Sequence, residues 1–383
     1  MTEPVPIPVG SLPPPAAPLL AALPEIVRAV PRVSQADFDR IAYARDMWPL
    51  ALLWIRQGRI PRPPDLVAWP KDEAEVAALV RTARAQKFAL IPFGAGSGVC
   101  GGTWAVKGGV AMDLKRLDQI GEVDAQRRTV EVGAGAMGET LERTLDARGW
   151  TLGHFPSSIY MSTVGGWLAA RSAGQLSCRY GKIEDMVVSL RAVLGTGEVV
   201  QTPERPFRGP DLVPLLLGSE GTLCTFTSAR LRVHPKPETR VFHAFEFQGV
   251  AAGVDAIRRL FRAGLRPAVV RLYDPFDTAL VGDSKAGERA HHPLQNDLKT
   301  QLFASVSKAI APLTVGKPGV LNALAHRFKK TLLVLMFEGE TGRCQAEDAA
   351  ARELCAGLNA VARGEAPARA GYAKRYEVSY RMA

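Results

Sequence analysis

A glycine-rich loop at residues 92–102 constrains the fold of this chain more than any other part of the sequence. It reads Pro-Phe-Gly-Ala-Gly-Ser-Gly-Val-Cys-Gly-Gly and follows the apolar run 88–91. Glycines at positions 94, 96 and 98 allow positive φ angles and let a ligand approach the backbone closely. Successive main-chain N–H groups in such a loop suit a diphosphate. The loop therefore predicts an anion-binding site at the carboxyl end of a strand.

Two common nucleotide-binding fingerprints do not fit this loop. A Gly-x-Gly-x-x-Gly dinucleotide loop needs glycine at position 99, which is Val99, and opens directly into a helix. A phosphate-loop NTPase needs Gly-Lys followed by Ser or Thr, and the loop ends without that sequence. The sequence therefore argues against the nicotinamide Rossmann class and against the phosphate-loop NTPases.

The composition is that of a globular protein with two or three domains. The chain has 383 residues, of which 47% are hydrophobic and 22% charged. No apolar run approaches the ~20 residues of a membrane span, and the first 22 residues lack the basic start of a secretory signal. These features predict a cytoplasmic protein. Five scattered cysteines indicate neither disulfides nor a zinc site, and His291-His292 is interpreted as a solvated turn.

The charge balance leaves the nature of the partners open. Lysine and arginine exceed aspartate and glutamate by 48 to 38, a net charge of +10. This excess either keeps the surface soluble or attracts anionic ligands or an anionic membrane surface. Nucleic acid is not expected, because the basic residues are evenly spread and form no stripe with aromatic residues. We expect a small-molecule or lipid substrate; peripheral contact with the inner face of the membrane and a homodimer stay open.

The apolar pattern divides the chain into three regions with an α+β fold. Residues 1–57 are predicted to form an N-terminal arm and a helix, with 1–34 loose because of their proline and alanine content. Residues 58–238 alternate strands and helices. Residues 239–383 restart the alternation and predict a second α+β domain with an antiparallel sheet.

Capping and periodicity predict the individual elements. Asp72-Glu73-Ala74-Glu75 resembles a capping box and predicts a helix over 72–86 that leads into a strand over 88–92. Further strands are predicted over 110–114, 119–123, 129–132, 186–194, 198–202, 229–233, 242–247, 269–273 and 332–337. Further helices are predicted over 35–56, 138–148, 211–217, 251–262 and 344–361. In the helix over 251–262, the residues predicted to face inward are Val254, Ile257, Leu260 and Phe261.

Two more glycine motifs follow the first loop. Residues 157–167 place a Ser-Thr pair before Gly165-Gly166, and an alanine-rich helix follows. This pattern fits either a helix N-terminus that faces an anion or an ordinary capped helix packed through small residues. The third motif, Gly218-Ser219-Glu220-Gly221-Thr222-Leu223, lies between a short predicted helix and a strand and is by itself a turn.

Together, in this order and spacing, the three motifs resemble the FAD-binding domain of the vanillyl-alcohol oxidase and p-cresol methylhydroxylase superfamily. The resemblance covers residues 58–282 well and the remainder more weakly. It implies that residues 58–238 form a PCMH-type FAD-binding domain of two α/β subdomains and that residues 239–383 form an incomplete substrate or cap domain. Within this superfamily the chain is most similar to the alkyldihydroxyacetonephosphate synthases. The segments that carry this similarity are 153–158, 162–167, 179–186 and 267–274.

The resemblance implies FAD as the cofactor and assigns residues to it. The implied cofactor-binding residues are Pro92, Phe93, Gly94, Ala95, Gly96, Ser97, Gly98, Ser157, Ser158, Ile159, Tyr160, Met161, Ser162, Thr163, Ala170, Arg171, Ser172, Ala173, Glu220, Gly221, Thr222, Leu223, Cys224, Thr225 and Phe226. Ser97 stands where some relatives carry a histidine bonded to the flavin, so the resemblance implies non-covalent FAD. Cys224 and Phe226 depart from the glycine and the small aliphatic residue usual in the family.

Two arginines are implied to bind a substrate phosphate. Arg271 occupies a position where the lactate and glycolate dehydrogenase branch usually carries an acidic residue, and Arg381 matches a substrate-binding arginine of the family. A guanidinium pairs bidentately with phosphate. For Arg271, an ion pair with Asp274 or Asp277 within the chain is an equal alternative.

The family also has a further C-terminal segment, with a tyrosine general base and a histidine-rich stretch, that has no counterpart in this sequence. The catalytic residues are therefore unknown. Two explanations stay open: a fragment of a longer enzyme, or a shortened protein that binds FAD without catalysis.

The implied reaction replaces the acyl chain of acyl-dihydroxyacetone phosphate with a long-chain alcohol, a step of ether lipid synthesis. The alternatives are an FAD-dependent 2-hydroxy acid dehydrogenase of the D-lactate or glycolate type and a flavin-binding fragment without catalytic activity.

Overall fold

The fold is α+β, as predicted from the sequence. The computed structural model describes residues 12–204, 209–275, 277–278, 330–373 and 376. The chain separates into two compact units, of which the first ends at Lys236 and the second begins at Pro237. No helix in these described ranges is both long enough and apolar enough to cross a membrane.

The first half of the first unit is built around a four-stranded sheet. Its elements are α1 Ala17–Ala21, α2 Leu23–Ala29, β1 Val33–Ser34, α3 Asp37–Ala42, α4 Pro49–Arg56, β2 Leu66–Ala68, α5 Glu73–Gln86, β3 Leu90–Phe93 and β4 Val110–Asp113. The strand order is β1-β2-β4-β3, with β4 parallel to both β2 and β3 and with β1 antiparallel to β2. The glycine-rich loop follows β3 directly, at the predicted carboxyl end of a parallel strand.

Helix α5 forms for the reasons visible in the sequence. The Asp72 carboxylate accepts the backbone N–H of Glu75 at 2.9 Å, and the Glu75 carboxylate accepts the N–H of Lys71 at 2.8 Å. The helix ends at Lys87, which has a left-handed conformation with φ 58°. The residues that α5 buries include the predicted apolar face: Val76, Leu79, Val80 and Ala83.

The N-terminal region differs from its prediction. Residues 17–29 form α1 and α2 instead of a loose arm, and they bury Leu19 and Ile26 against the core that includes α5. Proline is tolerated there because it lies in the first turn of each helix, where a backbone N–H has no helical partner. The helix predicted over 35–56 is broken into α3 and α4, because Trp48 is extended before Pro49.

The second half of the first unit has an antiparallel sheet with short helices. Its elements are β5 Thr129–Gly133, α6 Gly138–Ala147, β6 Trp150–Thr151, a 3₁₀ turn Ile159–Met161, α7 Val164–Ala170, α8 Ser177–Tyr180, α9 Ile183–Met186, β7 Val187–Leu194, β8 Val199–Gln201, α10 Leu212–Leu216, β9 Cys224–Arg232 and β10 His234–Pro235. The order in the sheet is β5-β9-β7-β8, and β6 pairs with β10. The strand predicted over 119–123 is wrong, since only Ile120 forms an isolated bridge, to Val132.

The second unit is a four-stranded antiparallel sheet with helices. Its described elements are β11 Thr239–Gln248, α11 Val250–Arg262, β12 Val269–Tyr273, β13 Lys330–Gly339, α12 Thr341–Ala356, β14 Val361–Gly364 and α13 Ala366–Ala373. The strand order is β12-β13-β11-β14. Phe245, Leu335 and Phe337 belong to the core that this sheet forms with α11 and α12.

Two details of the second unit correct the predictions. Leu260 is buried as predicted, but Val254 is 52% exposed, because α11 buries Gly253 and Ala256 beside Leu260. A Cβ atom on Gly253 would lie only 2.6 Å from a Leu272 methyl carbon, so the close approach of helix and strand selects that face. The helix predicted over 344–361 ends at Ala356. It is followed by Asn359 with φ 58° and then by strand β14.

Candidate cofactor site

The first two glycine motifs touch each other in the first unit. A Cβ atom built on Gly94 would lie 2.4 Å from Oγ1 of Thr163, far closer than two atoms can pack. Thr163 is the N-cap residue of α7, where its hydroxyl accepts the N–H of Gly166 at 3.2 Å. Gly94 is therefore required so that the loop after β3 can reach the start of α7.

The third motif closes onto the other two. Gly221 has φ +81°, and a Cβ atom there would lie 3.1 Å from Cγ of Pro92. The backbone N–H of Gly218 donates to the Leu168 carbonyl at 3.0 Å, and that of Glu220 donates to the Ala169 carbonyl at 3.2 Å. Three segments that are far apart in sequence thus form one site, as their order and spacing suggested.

Arg171 connects the second and third motifs. It ends α7 in a left-handed conformation with φ 48°, and its Nε donates to the Leu217 carbonyl at 3.0 Å. The guanidinium also donates to the carbonyl of Pro214 and lies 3.7 Å from a Glu184 carboxylate oxygen. The side chain thus positions the α10 segment, while its predicted contact with the cofactor stays a prediction.

Lys115 belongs to this site although the sequence analysis missed it. Its Nζ donates to the Gly94 carbonyl at 2.9 Å and lies 2.8 Å from Oδ2 of Asp113. The ammonium also lies 5.3 Å from the centres of the Phe93 and Tyr43 rings. Lys115 therefore binds the glycine-rich loop, while the Asp113 carboxylate balances its charge.

Tyr43 and Asp113 support this lysine. The Tyr43 hydroxyl donates to the Asp113 carboxylate and accepts the Trp69 indole N–H at 3.0 Å. Burial, reinforced by the neighbouring Asp113 carboxylate, raises the pKa of Tyr43 well above its ordinary value. The phenol therefore stays protonated and acts as a donor. Asp113 ends β4 and Lys115 lies just after it. Because β4 is next to β3 in the sheet, that adjacency is the signal that could have found them.

A buried histidine lies behind the second motif. His154 is fully buried, and its Nε2 lies 2.8 Å from Oγ of Ser172, whereas its Nδ1 has no partner among the described residues. Burial lowers the pKa of His154 to about 4, so the imidazole is neutral. Its ring packs 4.7 Å from that of Trp167, whose indole N–H donates to Ser162 at 2.8 Å. His154 and Trp167 thereby hold two predicted cofactor-binding serines in place.

Glu142 fixes the segment that carries this histidine. Its carboxylate accepts the backbone N–H groups of Leu152 and Gly153, each at 3.0 Å, and the Thr151 hydroxyl at 2.9 Å. Because Glu142 is itself buried in α6, the chain that leads into His154 has little freedom.

The two residues that depart from the family pattern are buried. Cys224 and Phe226 lie in β9 with 4% and 3% of their surfaces exposed. Burial raises the pKa of the Cys224 thiol, although a contact with Ser219 opposes the shift, so the sulfur stays protonated. Other predicted residues of the site reach the surface: Tyr160 is 57% exposed and Leu223 is 46% exposed.

In the second unit, Arg271 is not engaged by a carboxylate. Its guanidinium lies 3.4 Å from the Tyr273 hydroxyl, and among the described residues no acidic side chain forms an ion pair with it. Asp274 instead accepts the backbone N–H of Asp277 at 2.8 Å. The structure therefore gives no support to the ion-pair alternative. Arg381, the other predicted phosphate ligand, lies outside the described residues.

The residues present fit FAD. The glycines leave a cradle without side chains, and Gly96 has φ +66°, with Phe93 2.8 Å from where a Cβ atom would be. Segment 92–102 contains no acidic residue, and Lys115, paired with Asp113, holds the loop through the Gly94 carbonyl. Such a set of donors and charges suits a dinucleotide diphosphate.

Comparison with known proteins agrees with this geometry. Residues 64–203 match the family described as FAD binding domain. This part of the chain is thus an FAD-binding domain, and the predicted cofactor, FAD, is confirmed.

Sequence and structure both match alkyldihydroxyacetonephosphate synthases, and the sequence also matches a glycolate oxidase subunit. The chain is 37% identical to alkyldihydroxyacetonephosphate synthase of Caenorhabditis elegans over 226 residues, 57% of this chain and 38% of the relative. A solved structure of alkyldihydroxyacetonephosphate synthase superposes with a TM-score of 0.78 at 28% identity, over 97% of this chain and 65% of the other. The glycolate oxidase subunit of Bacillus subtilis is 30% identical over 214 residues, 55% of this chain and 46% of the relative. The chain therefore spans less than two thirds of the length of these relatives, and the predicted resemblance to the synthases is confirmed.

Proposed function

We propose that this protein is a flavoprotein that exchanges the acyl chain of acyl-dihydroxyacetone phosphate for a long-chain alcohol. One observation carries the proposal: the three glycine motifs form one site in a chain that follows an alkyldihydroxyacetonephosphate synthase over 97% of its length. The product is a precursor of ether lipids, and the exchange involves no net oxidation or reduction.

The first unit binds and orients the cofactor. The main-chain N–H groups of residues 94–98 would hold the diphosphate, and Lys115 fixes this loop through the Gly94 carbonyl. Ser162 and Ser172, held by Trp167 and His154, offer hydroxyl groups along the dinucleotide. Bound FAD supplies the reactive ring system on which the exchange depends, and the protein supplies position and charge. Ser97 carries no imidazole, which favours non-covalent binding.

The second unit supplies a ligand for the substrate phosphate. The Arg271 side chain stands on the sheet face opposite to the core residues Val270 and Leu272. Its guanidinium has no carboxylate partner among the described residues, so it can pair with a phosphate through two parallel N–H···O bonds. This cation favours a phosphorylated substrate over a simple 2-hydroxy acid.

The test uses the purified chain loaded with FAD and supplied with acyl-dihydroxyacetone phosphate and a radiolabelled long-chain alcohol. We expect labelled alkyl-dihydroxyacetone phosphate, formed together with free fatty acid. Arg271→Gln should raise KM for the phosphorylated substrate roughly tenfold or more. Arg262→Gln, on the neighbouring helix α11, is the matched control and should leave KM unchanged.

Flavin absorbance separates the alternatives in the same samples. Bleaching by D-lactate or glycolate without alkyl transfer would favour a 2-hydroxy acid dehydrogenase, the class that the likeness to a glycolate oxidase subunit suggests. A yellow protein that no substrate bleaches and that transfers no alkyl chain would favour a flavin-binding fragment.

A further inference from the structure

One buried carboxylate lies against the glycine-rich loop with an oxygen that no other described residue contacts as a donor. Asp46 belongs to the short connection between α3 and α4, and only 2% of its surface is exposed. Its Oδ1 accepts the backbone N–H of Trp48 at 2.9 Å. Its Oδ2 has no hydrogen-bond partner among the described residues, and none of their lysines or arginines forms an ion pair with it. Because an unpaired carboxylate oxygen in the interior is costly, we expect a ligand to supply its donor.

The connection around Asp46 is joined to the loop on both sides of this residue. The Met47 N–H donates to the Gly98 carbonyl at 2.8 Å. A Cβ atom on Gly96 would lie 3.4 Å from the Arg45 carbonyl oxygen, and one on Gly98 would lie 3.3 Å from Oδ2 of Asp46 itself. The unpaired oxygen is therefore held beside the loop, at a position where glycine leaves the space open.

The loop itself does not supply the donor. Among the described residues, no acceptor takes the main-chain N–H groups of residues 95–98, and the Asp46 carboxylate does not take them either. These N–H groups are among those that would hold the diphosphate of FAD. The site thus combines unpaired donors in the loop with one unpaired acceptor next to it. A ligand that satisfies both must carry an anion and, close to it, a hydrogen-bond donor.

FAD has this combination of groups. A sugar group flanks its diphosphate on each side, the ribityl chain towards the flavin and the ribose towards the adenine, and both carry hydroxyl donors. In dinucleotide-binding folds of the nicotinamide class, a carboxylate accepts a ribose hydroxyl near the phosphate loop. A carboxylate without such a donor would repel the diphosphate, because both groups are negative. The position of Asp46 is therefore unfavourable for a bare diphosphate and favourable for one that hydroxyl groups flank.

We propose that Asp46 is a specificity residue of the cofactor site, whose Oδ2 accepts a hydrogen bond from a sugar hydroxyl next to the diphosphate of FAD. Residues 45–47 thereby add a fourth segment to the three glycine motifs. The site selects its cofactor by the sugar groups as well as by the phosphates, because a ligand without the hydroxyl leaves a buried acceptor unpaired. This inference rests on the binding of FAD and does not depend on which reaction the protein catalyses.

The first measurement compares FAD with two analogues on the unchanged chain. One analogue contains 2′,3′-dideoxyadenosine, and in the other a plain five-carbon chain replaces the ribityl group. Titration calorimetry with the apoprotein gives the three dissociation constants. We expect the analogue that lacks the hydroxyl bound by Asp46 to bind roughly tenfold to a hundredfold more weakly than FAD.

The variant Asp46→Asn shows whether the carboxylate causes this preference and which sugar it contacts. Asparagine keeps an oxygen for the Trp48 N–H and places an NH2 group, which is a donor, where Oδ2 stands. The preference for FAD over one of the two analogues should fall about tenfold, and the preference over the other should stay as it was. Asp118→Asn, at an exposed position of the same unit, is the matched control and should keep both preferences. If Asp46→Asn does not fold, Asp46→Ser takes its place, since the serine hydroxyl can accept the same N–H.

Three results would overturn the proposal. One is an unchanged chain that binds both analogues as tightly as it binds FAD. Another is a folded variant at position 46 that keeps both preferences, whether it binds FAD more weakly or more tightly, since Asp46 would then only shape the connection or repel the diphosphate. The third is an equal loss of both preferences, which a general distortion of the site would produce. These affinities require no substrate, so a failure to transfer alkyl chains would contradict the proposed reaction and leave this result unaffected.

Discussion

Gly94 is the residue on which the cofactor site depends most directly. Gly94→Ala should weaken FAD binding about tenfold to a hundredfold, because its methyl group would overlap Oγ1 of Thr163. Gly102→Ala is the matched control from the same loop, since a Cβ atom there meets nothing within 4 Å. FAD titration followed by flavin fluorescence measures both affinities. Equal affinities for the two variants would mean that the Gly94–Thr163 contact does not shape the site.

His154 makes the stability of the first unit depend on pH. Burial lowers the pKa of His154 to about 4 in the folded chain, against an ordinary value of 6.5. The unfolded chain therefore takes up a proton that the folded chain does not, and stability falls as pH drops from 6.5 towards 4. When the pH is lowered from 7 to 5, protonation of His154 in the unfolded chain should lower the free energy of unfolding by about 2 kcal/mol.

Urea unfolding at the two pH values measures this loss. His234 also has a pKa lowered by burial and nearby arginines, and it contributes in the same direction. The His154→Gln variant isolates the His154 contribution, because glutamine does not titrate. If that variant loses as much stability between pH 7 and pH 5 as the unchanged chain, His154 is not the group responsible.

Glu73 joins helix α5 to the antiparallel sheet of the same unit. Its carboxylate accepts the Arg191 guanidinium at 2.7 and 2.8 Å and the Thr227 hydroxyl at 2.7 Å. Burial alone would raise the pKa of Glu73, but the hydrogen bonds from Arg191 and Thr227 outweigh it and lower the pKa. The carboxylate thus stabilises the fold above its unfolded pKa, and this contribution is lost as pH falls through the folded pKa.

Replacing this carboxylate should loosen the connection between the two elements. Glu73→Gln should lower the unfolding free energy by about 1–2 kcal/mol, a modest figure because Arg191 is partly exposed. Glu198→Gln, on the loop before β8, is the control and should change stability by less than about 0.5 kcal/mol. Urea titrations at pH 7 compare the two, and equal stabilities would contradict this role for Glu73.

Elements with local signals were predictable from the sequence, and elements set by distant contacts were not. Helix α5 follows from its cap and its apolar period, and the hairpin of β7 and β8 follows from Gly195 and Gly197. The arm at 17–29 was mistaken because its helices depend on burial of Leu19 and Ile26 against the α5 core, which no local pattern reveals.

The same distinction holds for the cofactor site. The three motifs could be found because glycine and hydroxyl residues leave a local signature in the chain. Lys115 and His154 leave no such local signature, because their roles depend on Gly94 and Ser172, which lie 21 and 18 residues away. Nothing in the immediate neighbourhood of either residue distinguishes it from an ordinary lysine or histidine.

On the scale of the whole molecule, the tryptophans report on one unit only. All six lie between positions 48 and 167, and therefore within the first unit. Tryptophan emission should thus follow unfolding of the FAD-binding unit, and FAD should shift its midpoint to higher urea. At a free FAD concentration of 100 Kd, the stabilisation should be about 2.7 kcal/mol.

Far-UV circular dichroism detects the unfolding of both units. Its transition can therefore be compared with the transition that tryptophan emission reports for the first unit alone. Adding FAD at this concentration should move the tryptophan-detected transition in the unchanged chain and stabilise Gly94→Ala by no more than about half as much. A tryptophan transition that FAD leaves in place would contradict the assignment of the site to the first unit.

The contact between Gly94 and Thr163 also restricts how this protein can diverge. A lineage that gains a side chain at position 94 first meets the hydroxyl of Thr163, so the two positions are not free to vary independently. Only a prior change that removes the γ-oxygen at position 163 would open the route, and that change also removes the cap of α7. Each single step is thus disfavoured, and the pair of residues should be inherited together.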